Sequence, residues 1–174
     1  MKKLSLMAFM ILAIGIAANA QVTTVYTKID KKCRTLSMSS KPIDSFEIAC
    51  SGIAGYSVRL VGLDSRESMN IVTPSRKKFE LRFWGLLYHF SSVGPTLEWR
   101  VNKGVPFAMI ARMTTDTDAD DNKTKSYLMV SKIGAKNSCV VDIIEPGPGQ
   151  NEKARKAADR ATAMPCKTEG PAQQ

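Results

Sequence analysis

Between Thr96 and Ile144, apolar and polar residues alternate with a period of two, the signature of strands buried on one face. Leu97, Trp99 and Val101 interleave with Glu98, Arg100 and Asn102. Asn102-Lys103-Gly104 supplies turn chemistry. Val105, Phe107, Met109 and Ala111 then interleave with Pro106, Ala108, Ile110 and Arg112. After a polar acidic segment, Tyr127 to Ile133 forms another apolar run, and Asn137-Ser138 leads into Cys139-Val140-Val141-Asp142-Ile143-Ile144. These runs predict a meander whose last strand carries a cysteine.

The same reading upstream gives a first strand at Val22–Thr27 and a turn at Ser39-Ser40-Lys41-Pro42. A strand through Phe46, Ile48 and Cys50 turns its cysteine inward, and Gly52-Ile53-Ala54-Gly55 makes a tight connection to another through Tyr56, Val58 and Leu60. Asp64 to Ser68 reads as a polar interruption, Met69 to Thr73 as a short strand ended by Pro74, and Phe79, Leu81 and Phe83 as a further strand. Leu86, Leu87, Tyr88 and Phe90 are too large to leave in water without consequence, and are assigned to the core in preference to an exposed lip. Glu145-Pro146-Gly147-Pro148-Gly149 stops the sheet. A helix is expected over Asn151–Ala163, with Ala154, Ala157, Ala158 and Ala161 on one arc. Asn151 is its expected N-cap and Pro165 its stop, and Glu152–Lys156 and Arg155–Asp159 are expected i, i+4 pairs. The fold class expected is α+β: a mainly antiparallel, twisted sheet of about seven to nine strands with one C-terminal helix and two disulfides.

The chain start changes the compartment. Lys2 and Lys3 precede an apolar run from Leu4 to Ala18, which is short for a membrane span. Ala18-Asn19-Ala20 carries the small residues that a signal peptidase reads, so residues 1–20 are expected to be a signal peptide cleaved before Gln21, the alternative being an uncleaved anchor. Residues 21–166 then form one disulfide-bonded domain, 167–174 a flexible tail, and no transmembrane segment remains. The expected location is periplasmic or secreted. Four cysteines in an oxidising compartment imply two bridges out of three possible pairings. Cys33–Cys50 and Cys139–Cys166 are preferred because each closes a modest local loop. A four-cysteine zinc site is the competing reading, disfavoured by the absence of closely spaced pairs.

Lysine and arginine exceed the acids 25 to 16, a formal charge of +9, or two fewer without Lys2 and Lys3. The excess favours an unknown protein or an anionic envelope component as partner. Specific nucleic-acid binding is not expected, because no compact basic cluster is backed by aromatic platforms. The densest basic group, Lys28, Lys31, Lys32 and Arg34 around Cys33, is read as a solvated loop beside a disulfide. His89 is the only histidine and is read as partly buried and satisfied, since a triad or metal site needs more than it supplies. Asp116, Asp118 and Asp120 are the candidate calcium ligands. The match to a calcium loop fails at Asp121, where glycine is needed, and at Tyr127, where a glutamate is. No other cofactor is expected.

Further features are framework residues: Glu98-Trp99-Arg100, Gly104-Val105-Pro106-Phe107-Ala108-Met109-Ile110-Ala111-Arg112, Tyr127-Leu128-Met129-Val130 and Cys139-Val140-Val141. With Ala154-Arg155-Lys156-Ala157-Ala158-Asp159 before Cys166, and Tyr26, Cys33, Cys50 and Gly55-Tyr56 early on, the chain resembles a family of small uncharacterised exported bacterial proteins with two disulfides. The resemblance implies export and a shared fold, and no activity. With no phosphate loop, nucleophile elbow or nominated carboxylate pair, the expected function is a non-enzymatic exported binding or interaction protein, a monomer with no catalytic residues. The alternatives are a hydrolase using carboxylates without histidine, and an inhibitor of a foreign lytic enzyme. Two buried carboxylates facing each other in a deep cleft would favour the hydrolase.

Overall fold

A computed structural model describes residues 21–117 and 123–168. The leader, Asp118 and Asp120 of the calcium candidate, and the end of the tail lie outside the described residues. Among the described residues, ten strands run β1 (Thr23–Lys28), β2 (Arg34–Ser39), β3 (Ser45–Ser51), β4 (Ser57–Leu63), β5 (Arg66–Val72), β6 (Lys78–Glu80), β7 (Ser91–Asn102), β8 (Val105–Asp116), β9 (Thr124–Lys132) and β10 (Cys139–Ile144), followed by the helix α1 (Gln150–Ala158). They form one mixed sheet in the order β10-β9-β8-β7-β5-β4-β3-β2, with β1 on β7 and β6 on β5. All the pairings are antiparallel except β5 with β7, which meet in parallel at Arg66 and Ser91.

The meander expected between Thr96 and Ile144 is β7 to β10. Its first turn, Lys103-Gly104, holds both residues at positive φ, 49° and 80°, the geometry that matches strand twist in a two-residue hairpin. Apolar residues fill both faces of β8. Met109, Ala111 and Met113 join Val58, Leu60, Met69, Ile71, Leu97 and Trp99 in the larger core. Ala108 and Ile110 join Leu128, Val130 and Val141 under Ala154, Ala157, Ala158 and Ala161. The two halves of the sheet therefore pack across one core, and the helix covers the outside of β8–β10. A strand between two layers is apolar throughout for this reason.

The cysteines pair as Cys33–Cys50 and Cys139–Cys166. The second bridge holds the segment after α1 on β10, where the Lys167 amide donates to the Val140 carbonyl at 2.8 Å and Lys132 Nζ to the Met164 carbonyl at 2.9 Å. Polar contacts fasten the helix itself. Arg100 Nε donates to Asp159 Oδ1 at 2.7 Å, and Arg155 Nε to Glu98 Oε1 at 2.7 Å.

Several local expectations are corrected. The strand count rises to ten because Arg34–Ser39 is an edge strand whose residues are mostly exposed, so it shows no alternation. Asp64-Ser65 is a two-residue turn with φ of 51° and 58°, and the polar residues Arg66, Glu67 and Ser68 already belong to β5. The strand through Phe79 ends at Glu80. Arg82 adopts a left-handed conformation, and a 3-10 turn over Phe83–Gly85 follows, its first amide bonded to Ser68 Oγ at 2.8 Å. The helix is shorter than expected, with Ala161–Ala163 as a separate 3-10 turn. Gly149, not Asn151, holds its N-cap position, and Asn151 Oδ1 instead accepts from Arg112 Nη2 at 3.3 Å. Glu152 does pair with Lys156, at 2.7 Å. Arg155 and Asp159 each turn to the sheet rather than to one another, because Glu98 and Arg100 offer less solvated partners.

Candidate functional site

The strands β3, β4 and β5 present successive cross-strand rows to the larger core. Cys50, Val58 and Ile71 form one, and Ile48, Leu60 and Met69 the next. Two residues further along each strand, on the same face, the row reads Phe46, Gly62 and Glu67. Apolar bulk runs out there. Gly62 has no side chain, and the Phe46 ring lies over it: a Cβ at position 62 would stand 2.2 Å from Phe46 Cε1. Glu67 puts a carboxylate where the neighbouring rows put Met69 and Ile71.

A cleft of about 500 Å³ opens at this row, within the range of small-molecule sites. Phe46, Gly62, Leu63 and Glu67 wall one side, and Phe90, Ser91, Ser92, Thr114, Asp116 and Thr124 the other, with Asp44 and Arg66 also in contact. The two sides are stitched by backbone and side chain. The Ser91 amide donates to the Ser65 carbonyl at 3.1 Å and the Val93 amide to Glu67 Oε2 at 2.7 Å, while within the second side the Asp116 amide donates to the Phe90 carbonyl at 3.1 Å.

Glu67 is half-buried, and burial pushes its carboxyl above the ordinary carboxylate value, partly offset by the Val93 amide. Arg66, next to it in sequence, turns to Asp64 at 3.1 Å. Ser91 is 8 % exposed and its Oγ is buried without a hydrogen-bond partner, an arrangement uncommon in folded proteins. Phe90 is 53 % exposed and Leu63 49 %, so the rim keeps apolar surface in water.

The segment Gly85–Gly94 therefore divides. Leu86 and Leu87 enter the core as expected, while Tyr88 and Phe90 remain exposed. His89 is also exposed, which corrects its expected burial: only the two leucines lie under the sheet. Of the calcium candidates, Asp116 sits exposed at the end of β8 and lines the cleft. Among the described residues, no three His, Cys, Asp or Glu side chains come close enough to hold a metal ion. Sequence reading did not nominate Glu67, Ser91 or Phe46 for a site. The one available signal was a glycine and a glutamate interrupting the inward-facing positions of two paired strands. No family model, curated protein or solved structure matches the chain.

Proposed function

We propose that the protein is an exported, non-enzymatic binding protein whose ligand enters the cleft between Phe46 and Phe90. The carrying observation is that one cleft joins an exposed aromatic ring, a half-buried carboxylate and a buried hydroxyl with no partner. Export is supported by the two disulfides, which persist in oxidising compartments, by the leader pattern of residues 1–20, and by the resemblance to small exported bacterial proteins. Among the described residues, no helix is long and apolar enough to cross a membrane. The exposed cations Lys28, Lys31, Lys32 and Arg34 beside the first disulfide favour residence near an anionic envelope component.

A binder is preferred to a hydrolase because carboxylate catalysis needs two acids in contrasting environments facing one substrate. Glu67 is already engaged by the Val93 amide, and the other carboxylates of the cleft, Asp44 and Asp116, are exposed. The test is a thermal-shift screen of residues 21–174 against fragments of envelope polymers and small metabolites. The reading requires a compound that raises the unfolding midpoint of the wild type and loses that effect in Phe90→Ala. Chemical turnover of the compound, or a stabilisation untouched by both Phe90→Ala and Glu67→Gln, would overturn it.

A further inference from the structure

Several carboxylates away from the cleft are held by arginine. Glu47 holds Arg59, Glu98 holds Arg155 and Asp159 holds Arg100, each at 2.7 Å. Asp44, Glu67 and Asp116 make no ion pair among the described residues, although lysine and arginine outnumber acids in the chain. Among the described residues, the one cation in the cleft wall, Arg66, is turned to Asp64. Three unpaired acids thus border one cleft of a basic protein, too far apart to share a metal ion.

We infer that the cleft takes a small organic cation: an ammonium group carried on an apolar, aromatic body. This rests on the reading of the cleft as a binding site. An ammonium has three donors and no acceptor, and the cleft offers the Glu67 carboxylate and, at its border, the exposed carboxylates of Asp44 and Asp116 as acceptors. The rings of Phe46 and Phe90 suit both parts of such a ligand. Their faces attract a cation, and their apolar surface covers a flat body. The protein's positive charge opposes entry only weakly, because charges more than a Debye length of about 8 Å away are screened at physiological salt. A metal ion fits the same acids poorly, since it needs ligands converging at bonding distance.

The experiment is isothermal titration calorimetry of residues 21–174 at pH 7.5 with 2-phenylethylamine, 2-phenylethanol and 3-phenylpropionate, which share a ring and differ in charge. The amine should bind about tenfold more tightly than the alcohol, the gain that one partly solvated ion pair supplies, and the carboxylate more weakly than either. Glu67→Gln should reduce amine affinity about tenfold while leaving the alcohol unchanged, a split that a merely structural role for Glu67 would not produce. Asp116→Asn, at an exposed position, gives the same direction with less risk to folding. Equal or tighter binding of the alcohol or the carboxylate overturns the cationic class and leaves the binding function standing. Amine binding that survives Glu67→Gln combined with Asp116→Asn also overturns it. If none of the three probes binds, the aromatic-cation class is wrong, and the binding function stands or falls on its own screen.

Discussion

A methyl group at position 62 would lie 2.2 Å from the Phe46 ring, and 2.7 Å or less from two further atoms of that ring. The ring has to leave, or the strands have to part. Gly62→Ala is therefore expected to lower stability by about 1–3 kcal/mol, the usual cost of overpacking, measured by denaturant unfolding. An unchanged midpoint would mean that Phe46 does not hold this position in solution. Glu67 is the second residue on which the cleft depends. Its carboxyl is raised in the folded protein by burial, so ionisation opposes folding and protonation favours it. The sign follows: its penalty is present above the raised folded value, shrinks as pH falls through that value, and vanishes below the ordinary carboxylate value. Glu67→Gln keeps an acceptor for the Val93 amide. The variant is expected to melt higher than wild type at pH 7 and level with it near pH 3, read by paired thermal melts. The alternation of Phe46, Ile48 and Cys50 announced which way this phenylalanine faces. It did not announce that Gly62 lies beneath it, because that contact is set by the pairing of β3 with β4.

The helix shows the reverse balance. Its alanine arc was plain from spacing alone, and the buried residues are Ala154, Ala157 and Ala158, with Ala161 in the turn that follows. Methyl-sized side chains remove little area from water, so apolar burial holds this helix less firmly than leucines would. The Cys139–Cys166 bridge and the pairs Arg100–Asp159 and Arg155–Glu98 supply the remainder. Replacing both Cys139 and Cys166 with serine is expected to cost about 2–4 kcal/mol, as for other loops of this order. Hydrogen exchange should show the amides of α1 losing protection first, while β7 and β8 keep theirs. Uniform loss across the sheet would mean that the helix and the sheet unfold as one unit. The Arg155–Asp159 pair expected from spacing does not form, because i, i+4 geometry only permits a contact and a neighbouring strand can offer a better partner.

For the molecule as a whole, export remains the premise behind its oxidised cysteines. Intact-mass measurement of the protein recovered from its native cells and their medium should give a chain beginning at Gln21, with four cysteines resistant to alkylation until reduced. A species retaining Met1, or alkylation without reduction, would remove that premise.

The local code carried a good deal of this architecture. Period two over Thr96–Ile144, turn residues at Lys103-Gly104 and alanines at helical spacing are each written within a dozen neighbouring residues, and each persists in the fold. Four cysteines at modest separations likewise favoured the two bridges that form. Contacts distant in sequence were beyond that code: the parallel meeting of Arg66 with Ser91, β1 set against β7, and the edge strand β2. The cleft belongs to this second group. Its acids, rings and unpartnered hydroxyl come from segments tens of residues apart, and only the closing of one half of the sheet over the other brings them into a single place.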